Sequence, residues 1–97
     1  MSTPEVKVKK IVSQALKEMQ AYVVKPVTGG FGNSGVPDLL VCVSGKFVGI
    51  ECKAGGNKPT ALQLHNLNAI ELAGGIALVI DESNMHLVKQ LIGDRLK

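Results

Sequence analysis

The sequence lacks tryptophan and has little aromatic surface of any kind. Its 97 residues include one tyrosine and two phenylalanines, so aromatic residues make up 3% of the chain. Proteins that hold single-stranded nucleic acid by base stacking present several aromatic rings to their ligand. The composition therefore argues against that mode of recognition.

Long hydrophobic runs and metal-type cysteine spacings are also missing. No apolar run is long enough to span a membrane, and the first residues show no secretory signal pattern. The two cysteines, Cys42 and Cys52, lack the Cys-x-x-Cys spacing of a zinc site. Because both fall in apolar segments, they are expected to be buried thiols that stay reduced in an intracellular, cytoplasmic protein.

The length and charge favour one small domain with an anionic partner. A chain of 97 residues allows a single core, so one domain over residues 1–97 is expected. Eleven Lys and Arg against eight Asp and Glu give a net charge of +3. This mild excess suits an anionic partner without establishing one.

Two apolar runs in the middle of the chain flank a turn signal. Leu39–Val43 and Lys46–Ile50 enclose a Ser-Gly pair at 44–45. This pattern predicts a β-hairpin. A two-residue turn at that pair places Asp38 directly opposite Glu51, whereas a slip of one residue would send Glu51 to the other face.

The hairpin is predicted to gather two carboxylates and an amine. Facing side chains have Cβ atoms roughly 4.5–5.5 Å apart, and like charges at that separation are destabilising without a compensating cation. Mg²⁺ prefers oxygen ligands and is often held by one or two carboxylates. Lys53 shares the face of Glu51, while Cys52 points to the opposite face. The alternative is an ordinary surface hairpin with a Glu–Lys pair at its rim.

The N-terminal segment predicts an amphipathic helix. Thr3 is a suitable N-cap and Pro4 suits the first helical position. Glu5 continues the apolar stripe, so it is either a carboxylate directed to the metal or a helix-start residue favoured by the macrodipole. The stripe itself has helical spacing and comprises Val8, Ile11, Val12, Ala15, Leu16 and Met19.

A second helix is predicted to open at Thr60. Gln63 follows three residues later, which is the pattern of a capping box. Gln63 therefore has two interpretations, as a cap of its own helix or as a residue near the site. The glycine pair at 74–75 ends this helix, and its expected buried stripe is Leu64, Leu67 and Ile70.

The remaining elements complete an α-β-β-β-α-β-α order. Tyr22–Val27 predicts a strand that is not central, because Pro26 cannot donate a ladder hydrogen bond. Ile76–Ile80 predicts a short buried strand, and a last helix follows from about Asn84. The order indicates an α/β fold with a mixed four-stranded sheet flanked by helices.

The ordered set of polar residues resembles the PD-(D/E)XK nuclease superfamily and, within it, the VRR-NUC (virus-type replication-repair nuclease) domain. Members tend to carry a Glu in the first helix, a Gly-x-Pro-Asp-Leu segment, a Glu-x-Lys strand and a Gln in the following helix. Here these are Glu5, Gly35–Leu39, Glu51–Lys53 and Gln63. The resemblance covers the chain from about Glu5 to Ile80, and the PD-(D/E)XK nuclease core agrees with the predicted element order. The absence of an accessory domain makes the chain similar to the stand-alone, phage-type version, which would work in the host cytoplasm.

The resemblance implies a Mg²⁺- or Mn²⁺-dependent DNA endonuclease. Asp38 and Glu51 would bind the metal together with the backbone carbonyl of Cys52, and Glu5 would act through the metal's water shell. Lys53 would orient the attacking water or stabilise charge, and Gln63 would orient the water or the scissile phosphate. The family further implies branched substrates such as four-way (Holliday) junctions, cut by a homodimer. The alternative is a non-catalytic DNA-binding module of the same fold.

Basic and polar residues outside this set are candidates for contacts with DNA phosphates. The glycine-rich loop before Pro37 spells G-x-G-x-x-G, but it leads into a strand rather than a helix, which excludes a dinucleotide site. That loop is expected either to follow a nucleic-acid backbone or to be an inert connection, and the lysines are either phosphate contacts or a solvated face. The expected contacts are Lys9, Lys10, Lys25, Asn33, Ser34 and Lys58. The last helix, with Leu87 and Leu96 off its buried stripe, is the expected dimer interface.

Overall fold

The computed structural model describes residues 3–27 and 35–97, and the predicted order of helices and strands is confirmed. Residues 28–34, which include the predicted DNA contacts Asn33 and Ser34, lie outside the described ranges. None of the described helices has the length and apolarity that crossing a membrane requires. The elements are α1 (Pro4–Glu18), β1 (Tyr22–Val24), β2 (Leu39–Val43), β3 (Lys46–Cys52), α2 (Ala61–Leu72), β4 (Ile76–Ile80) and α3 (Val88–Arg95), with a 3₁₀ turn over Met85–Leu87 before α3.

The four strands form one mixed sheet in the order β1-β2-β3-β4. The first three are antiparallel neighbours, and β4 runs parallel to β3. β1 is an edge strand and stops at Val24, shorter than the predicted Tyr22–Val27, in keeping with the proline two residues later. β3 lies between an antiparallel and a parallel neighbour, which makes it a central strand of this sheet.

The hairpin between β2 and β3 has the predicted register. Val43 pairs with Lys46 and Leu39 with Ile50. Ser44 and Gly45 both have positive φ, 52° and 77°, as a two-residue turn that matches the twist of the strands requires. No residue before Leu39 pairs with β3, so Asp38 lies just before β2 begins and an edge of β3 is left open beside it.

One face of the sheet carries the apolar core. The odd-numbered residues of β2 are buried on this face, together with Val48, Ile50 and Cys52 of β3. They pack against the fully buried side chains of α1 and α3. The helical part of this core consists of Val8, Val12, Leu16, Val88 and Ile92. The predicted inner face of the first helix is therefore confirmed at Val8, Val12 and Leu16.

The opposite face is covered by α2 and is packed differently. Leu67 is the buried residue of this helix, whereas the predicted core residue Leu64 is 52% exposed. The helix approaches the sheet at Gly49, where an added Cβ would lie 2.5 Å from Cδ1 of Ile70. Because Gly49 and Glu51 share this face, the close approach brings α2 beside the Glu51 side chain.

Two further predictions about burial are wrong. Cys42 is exposed and only Cys52 is buried, because alternate residues of β2 point away from the core and Cys42 is on that outer side. Leu96, expected at a dimer interface, packs against the core instead. Leu87 remains 46% exposed.

Candidate active site

Asp38 sits at the open edge of β3, next to Glu51. Its Oδ2 accepts a hydrogen bond from the backbone N–H of Cys52 at 2.9 Å. The hairpin register places Asp38 one position beyond the last β2–β3 pair, which is why its carboxylate reaches the end of β3. Its side chain is 24% exposed, so Asp38 is accessible from solvent.

Glu51 is a buried carboxylate with one unsatisfied oxygen. The residue is 2% exposed. Among the residues that the structure describes, Glu51 is the only charged one that is buried. Its Oε2 accepts a 2.8 Å hydrogen bond from Nε2 of Gln63 and lies 3.4 Å from Nζ of Lys53. Its Oε1 is buried without a hydrogen-bond partner among the described residues. Buried oxygens of this kind are uncommon in folded proteins.

The surroundings of Glu51 disfavour its charged form. Desolvation is the main cause that raises the pKa of this carboxyl, and the negative charge of Asp38 raises it further. The Lys53 ammonium and the Asp38 backbone N–H oppose the rise without cancelling it. A positive charge beside the free oxygen of Glu51 would remove this penalty.

Gln63 combines its two predicted roles. Its Oε1 accepts from the Thr60 backbone N–H at 2.9 Å, and its own backbone N–H donates to Oγ1 of Thr60, which completes the capping box. Its Nε2 meanwhile donates to Glu51. The start of α2 therefore fixes the amide in the orientation that holds the buried carboxylate.

Lys53 lies on the same face as Glu51 and is largely enclosed. Its side chain is 13% exposed, and its backbone N–H donates to the Ile80 carbonyl at 2.9 Å. That backbone bond ties the residue to β4. The ammonium is thus held beside the carboxylates by a short, central stretch of sheet.

Glu5 and Lys9 border the site from α1. Nζ of Lys9 lies 3.6 Å from Oε2 of Glu5 and 3.8 Å from Oδ1 of Asp38. Glu5 is 45% exposed at its side chain, so it lies at the rim of the site and does not continue the buried stripe. Lys9, expected only as a DNA contact, bridges two of the predicted metal-site carboxylates. Its i, i+4 spacing from Glu5 is the sequence signal that points to this pairing.

Cys52 contributes its backbone and not its thiol. Burial, followed by the charge of Asp38, raises the pKa of the Cys52 thiol to about 12, so the sulfur stays protonated at neutral pH. The Cys52 N–H points to Asp38, and the Lys53 N–H points the other way to β4. Because a trans peptide directs its C=O opposite to its N–H, the Cys52 carbonyl points toward the Asp38 side of β3.

These groups suit a hard cation with few protein ligands. No cluster of three or more His, Cys, Asp or Glu side chains in residues 3–27 and 35–97 is arranged to hold a metal. Two carboxylates and a backbone carbonyl nevertheless converge on one edge of β3, and one carboxylate oxygen is unsatisfied. Mg²⁺ is usually bound through one or two carboxylates while it keeps several waters. The fit therefore favours such an ion over zinc.

The other predicted DNA contacts lie apart from the carboxylates. Lys10 and Lys25 are exposed and line a cavity beside α1. Lys58 is exposed in the loop that precedes α2. The structure thus brings together Glu5, Lys9, Asp38, Glu51, Cys52, Lys53 and Gln63.

Comparison with known proteins supports the resemblance to a VRR-NUC domain. A solved VRR-NUC domain superposes with a TM-score of 0.70 at 25% sequence identity, over 95% of this chain and 94% of that one. The "Putative nuclease p44" of Acyrthosiphon pisum secondary endosymbiont phage 1 is 40% identical over 55 residues, which is 56% of this chain. This chain spans 59% of the length of the phage protein. No protein-family model matches the sequence. The backbone agreement covers nearly all of both domains, and a putative phage nuclease shares part of the sequence, so this chain has the fold of a VRR-NUC domain and the comparisons support a VRR-NUC nuclease domain.

Proposed function

We propose that this protein is a metal-dependent endonuclease that hydrolyses DNA phosphodiester bonds in the cytoplasm. The observation that carries the proposal is the buried Glu51 carboxylate, which is close enough to Asp38 to feel its charge: its Oε2 lies 3.4 Å from Nζ of Lys53, and its Oε1 has no hydrogen-bond partner among the described residues. A carboxylate in that environment destabilises the fold unless it has a further partner. Perturbed carboxylates of this kind are typical of functional sites.

Asp38, Glu51 and the Cys52 carbonyl are the groups that would hold Mg²⁺ or Mn²⁺. Such an ion lowers the pKa of a bound water and offsets charge on a phosphoryl oxygen. Glu5 and Asp38 both lie near Nζ of Lys9, and Glu5 is the more exposed of the two carboxylates. From that position it would contact the ion's water shell and not the ion itself.

The chain's own residues account for the rest of the chemistry. The Lys53 ammonium lies against Glu51 in a largely enclosed position, where it would stabilise negative charge on the scissile phosphate or hold the attacking water. Gln63 keeps the Glu51 carboxylate in one orientation through its hydrogen bond. We regard Gln63 as a positioning residue, because its amide is already used by Thr60 and Glu51.

The test is cleavage of labelled linear, flap and four-way DNA with Mg²⁺, Mn²⁺ or EDTA. Asp38→Asn and Glu51→Gln should each lower the single-turnover rate by about 10³-fold or more, and EDTA should abolish cleavage. Asp94→Asn, which removes an exposed carboxylate on α3, is the matched control and should cut at the normal rate. Undiminished cleavage by both site variants would contradict the catalytic assignment.

The alternative, a DNA-binding module without catalysis, gives a different result. The protein would bind branched DNA and leave every substrate intact with either metal. The basic surface described below favours DNA contact under both hypotheses, so only the cleavage assay separates them.

We further propose a homodimer that acts on branched DNA such as four-way junctions. One chain supplies one pair of facing carboxylates, whereas symmetric cutting of a junction needs two sites related by a twofold axis. Leu87 remains available for such an interface at 46% exposure, and Leu96 does not. Light scattering at micromolar concentration should give twice the chain mass. A monomeric mass with and without junction DNA would contradict the proposal.

A further inference from the structure

A lysine-lined groove runs along α1, from the candidate active site to the start of the sheet. Two cavities of about 390 and 510 Å³ adjoin here and share Ser13, Lys17 and Lys25 in their walls. The first also contains Lys9 and Lys10. Lys9 in turn contacts Asp38, so the groove is continuous with the carboxylate site.

The charges in this groove are unbalanced. None of the described residues that line the two cavities is acidic. Lys10, Lys17 and Lys25 form no ion pair within the described part of the chain, whereas Lys9 and Lys53 do. A groove lined by one sign of charge raises the local concentration of a ligand of the opposite sign. The ligand chemistry indicated here is anionic.

Ser13 gives a second, independent indication. It lines both cavities, and its hydroxyl oxygen is buried without a hydrogen-bond partner among the described residues. A serine inside a helix ordinarily directs its hydroxyl to a carbonyl one turn earlier or to solvent. An unsatisfied donor between unpaired lysines matches a phosphate oxygen, which accepts both hydrogen bonds and charge.

The length of the groove suits a nucleic-acid backbone. Lys10 and Lys17 are seven residues apart on α1, which corresponds to about 10.5 Å along the helix axis. Successive base pairs advance the phosphates of one duplex strand by about 3.4 Å along the duplex axis. The lysines on α1 are therefore far enough apart to contact more than one phosphate of the same strand.

We infer that this groove, formed by Lys10, Ser13, Lys17 and Lys25, binds the sugar–phosphate backbone of the DNA strand on one side of the cleaved phosphate. The inference rests on the proposed function, since it takes the substrate to be DNA. Contacts of this kind position a duplex without reading its sequence. The groove thus fixes which direction the strand takes through the site and adds affinity that depends on salt.

The first experiment measures DNA binding by fluorescence anisotropy in EDTA, from low to moderate salt. Each of Lys10→Ala, Lys17→Ala and Lys25→Ala should weaken binding and reduce the slope of log K against log salt by about 0.7–0.9. Lys7→Ala is the matched control, because Lys7 is an exposed lysine of the same helix that does not line the groove. Slopes equal to that of Lys7→Ala for all three variants would overturn the inference.

The second experiment uses Ser13→Ala to separate binding from folding. Removing an unsatisfied buried hydroxyl should leave the melting temperature unchanged or raise it, while DNA affinity falls several-fold through loss of the phosphate contact. Unchanged affinity would overturn the role of Ser13. Displacement of DNA by polyglutamate of equal charge would overturn the DNA assignment in favour of an acidic peptide.

These outcomes are independent of the cleavage assay. If the protein never cuts DNA but the groove variants lose their salt-dependent affinity, the groove stands and the catalytic proposal fails. If the protein cuts DNA and the groove variants bind DNA like the control, the catalytic proposal stands and the inference about the groove fails.

Discussion

The two faces of the sheet differ in the residues that they bury. The face covered by α1 and α3 is apolar throughout, with Val12, Leu16 and Ile50 fully buried. The face covered by α2 buries one leucine of that helix, Leu67, together with the charged Glu51. The exposed leucines of α2 are Leu62, Leu64 and Leu72.

The α2 face is held by polar contacts where the other face is held by packing. Gln63 joins the start of α2 to Glu51. At the other end of the helix, Glu71 accepts from the Ala77 backbone N–H and pairs with Arg95, each at 2.7 Å. Because directional bonds take the place of close packing, a buried carboxylate with a free oxygen can be tolerated on this side. On the proposed function, the α1–α3 face supplies stability and the α2 face supplies the chemistry.

Among the variants that test this comparison of the two faces, Lys53→Ala has the largest expected effect, and it is on the rate of the chemical step. Lys53→Ala should lower the single-turnover rate on saturated enzyme by about 10²–10³-fold, with much less change in DNA affinity. Lys53→Arg should not restore the rate, because a planar guanidinium differs from a compact ammonium. Lys46→Ala, at the other end of the same strand, is the control. An unchanged rate with weaker DNA binding would mean that Lys53 only binds a phosphate group. That result would contradict the assignment of the chemical step to the α2 face.

A leucine pair tests the packing side of the contrast. Leu16→Ala should lower the free energy of unfolding by about 2–5 kcal/mol, because Leu16 is fully buried. Leu64→Ala removes the same atoms from a half-exposed site on α2. It should change the free energy of unfolding by less than about 0.5 kcal/mol. Urea unfolding of both variants gives the comparison. Equal losses would show that α2 buries Leu64, as its sequence spacing predicted.

The sequence was sufficient for the hairpin and the capping box but not for the α2 face. A Ser-Gly turn determines its own register, so the proximity of Asp38 and Glu51 could be predicted from local spacing. The buried side of α2 could not, because leucines recur around much of that helix. The sheet approaches α2 closely at Gly49. The hydrophobic periodicity of the sequence does not indicate this contact.

The position of Lys9 needed the tertiary structure. Its spacing from Glu5 is local, but its contact with Asp38 joins α1 to the end of β2. That juxtaposition depends on how α1 packs on the sheet. Periodicity identifies the buried side of α1, and it does not identify which end of which strand the neighbouring lysine reaches.

Two glutamates at opposite ends of the α2 interface should respond to pH with opposite sign. The pKa of Glu51 is raised from 4.5 by desolvation, so its ionised form opposes folding above the raised pKa. The Arg95 hydrogen bond lowers the pKa of Glu71, so ionised Glu71 favours folding above 4.5 and this benefit is lost as the pH falls. Without metal at pH 7, Glu51→Gln should raise stability by about 1–2 kcal/mol, and Glu71→Gln should lower it slightly.

The pH series gives that prediction a second check. The advantage of Glu51→Gln should shrink as the pH falls from above the raised pKa to below 4.5, where the carboxyl is protonated in both folded and unfolded chains. Thermal unfolding from pH 4 to pH 8 measures it. An advantage that grows toward low pH would mean that Glu51 is well solvated or already paired.

The last prediction separates the two contacts of Gln63. Gln63→Ala removes both the cap and the Glu51 hydrogen bond and should lower the free energy of unfolding by about 1–2 kcal/mol. Gln63→Glu can keep the capping box, since glutamate serves at that position, but it places a second carboxylate against Glu51. In metal-free protein it should therefore be unstable at pH 7 and recover as the pH falls and one carboxyl takes up a proton. Thr60→Ala, which removes the capping hydroxyl and leaves the Glu51 contact in place, is the control and should lose stability without that recovery. If Gln63→Glu shows the same pH profile as Thr60→Ala, Gln63 is only a cap, and the α2 face does not position the buried carboxylate.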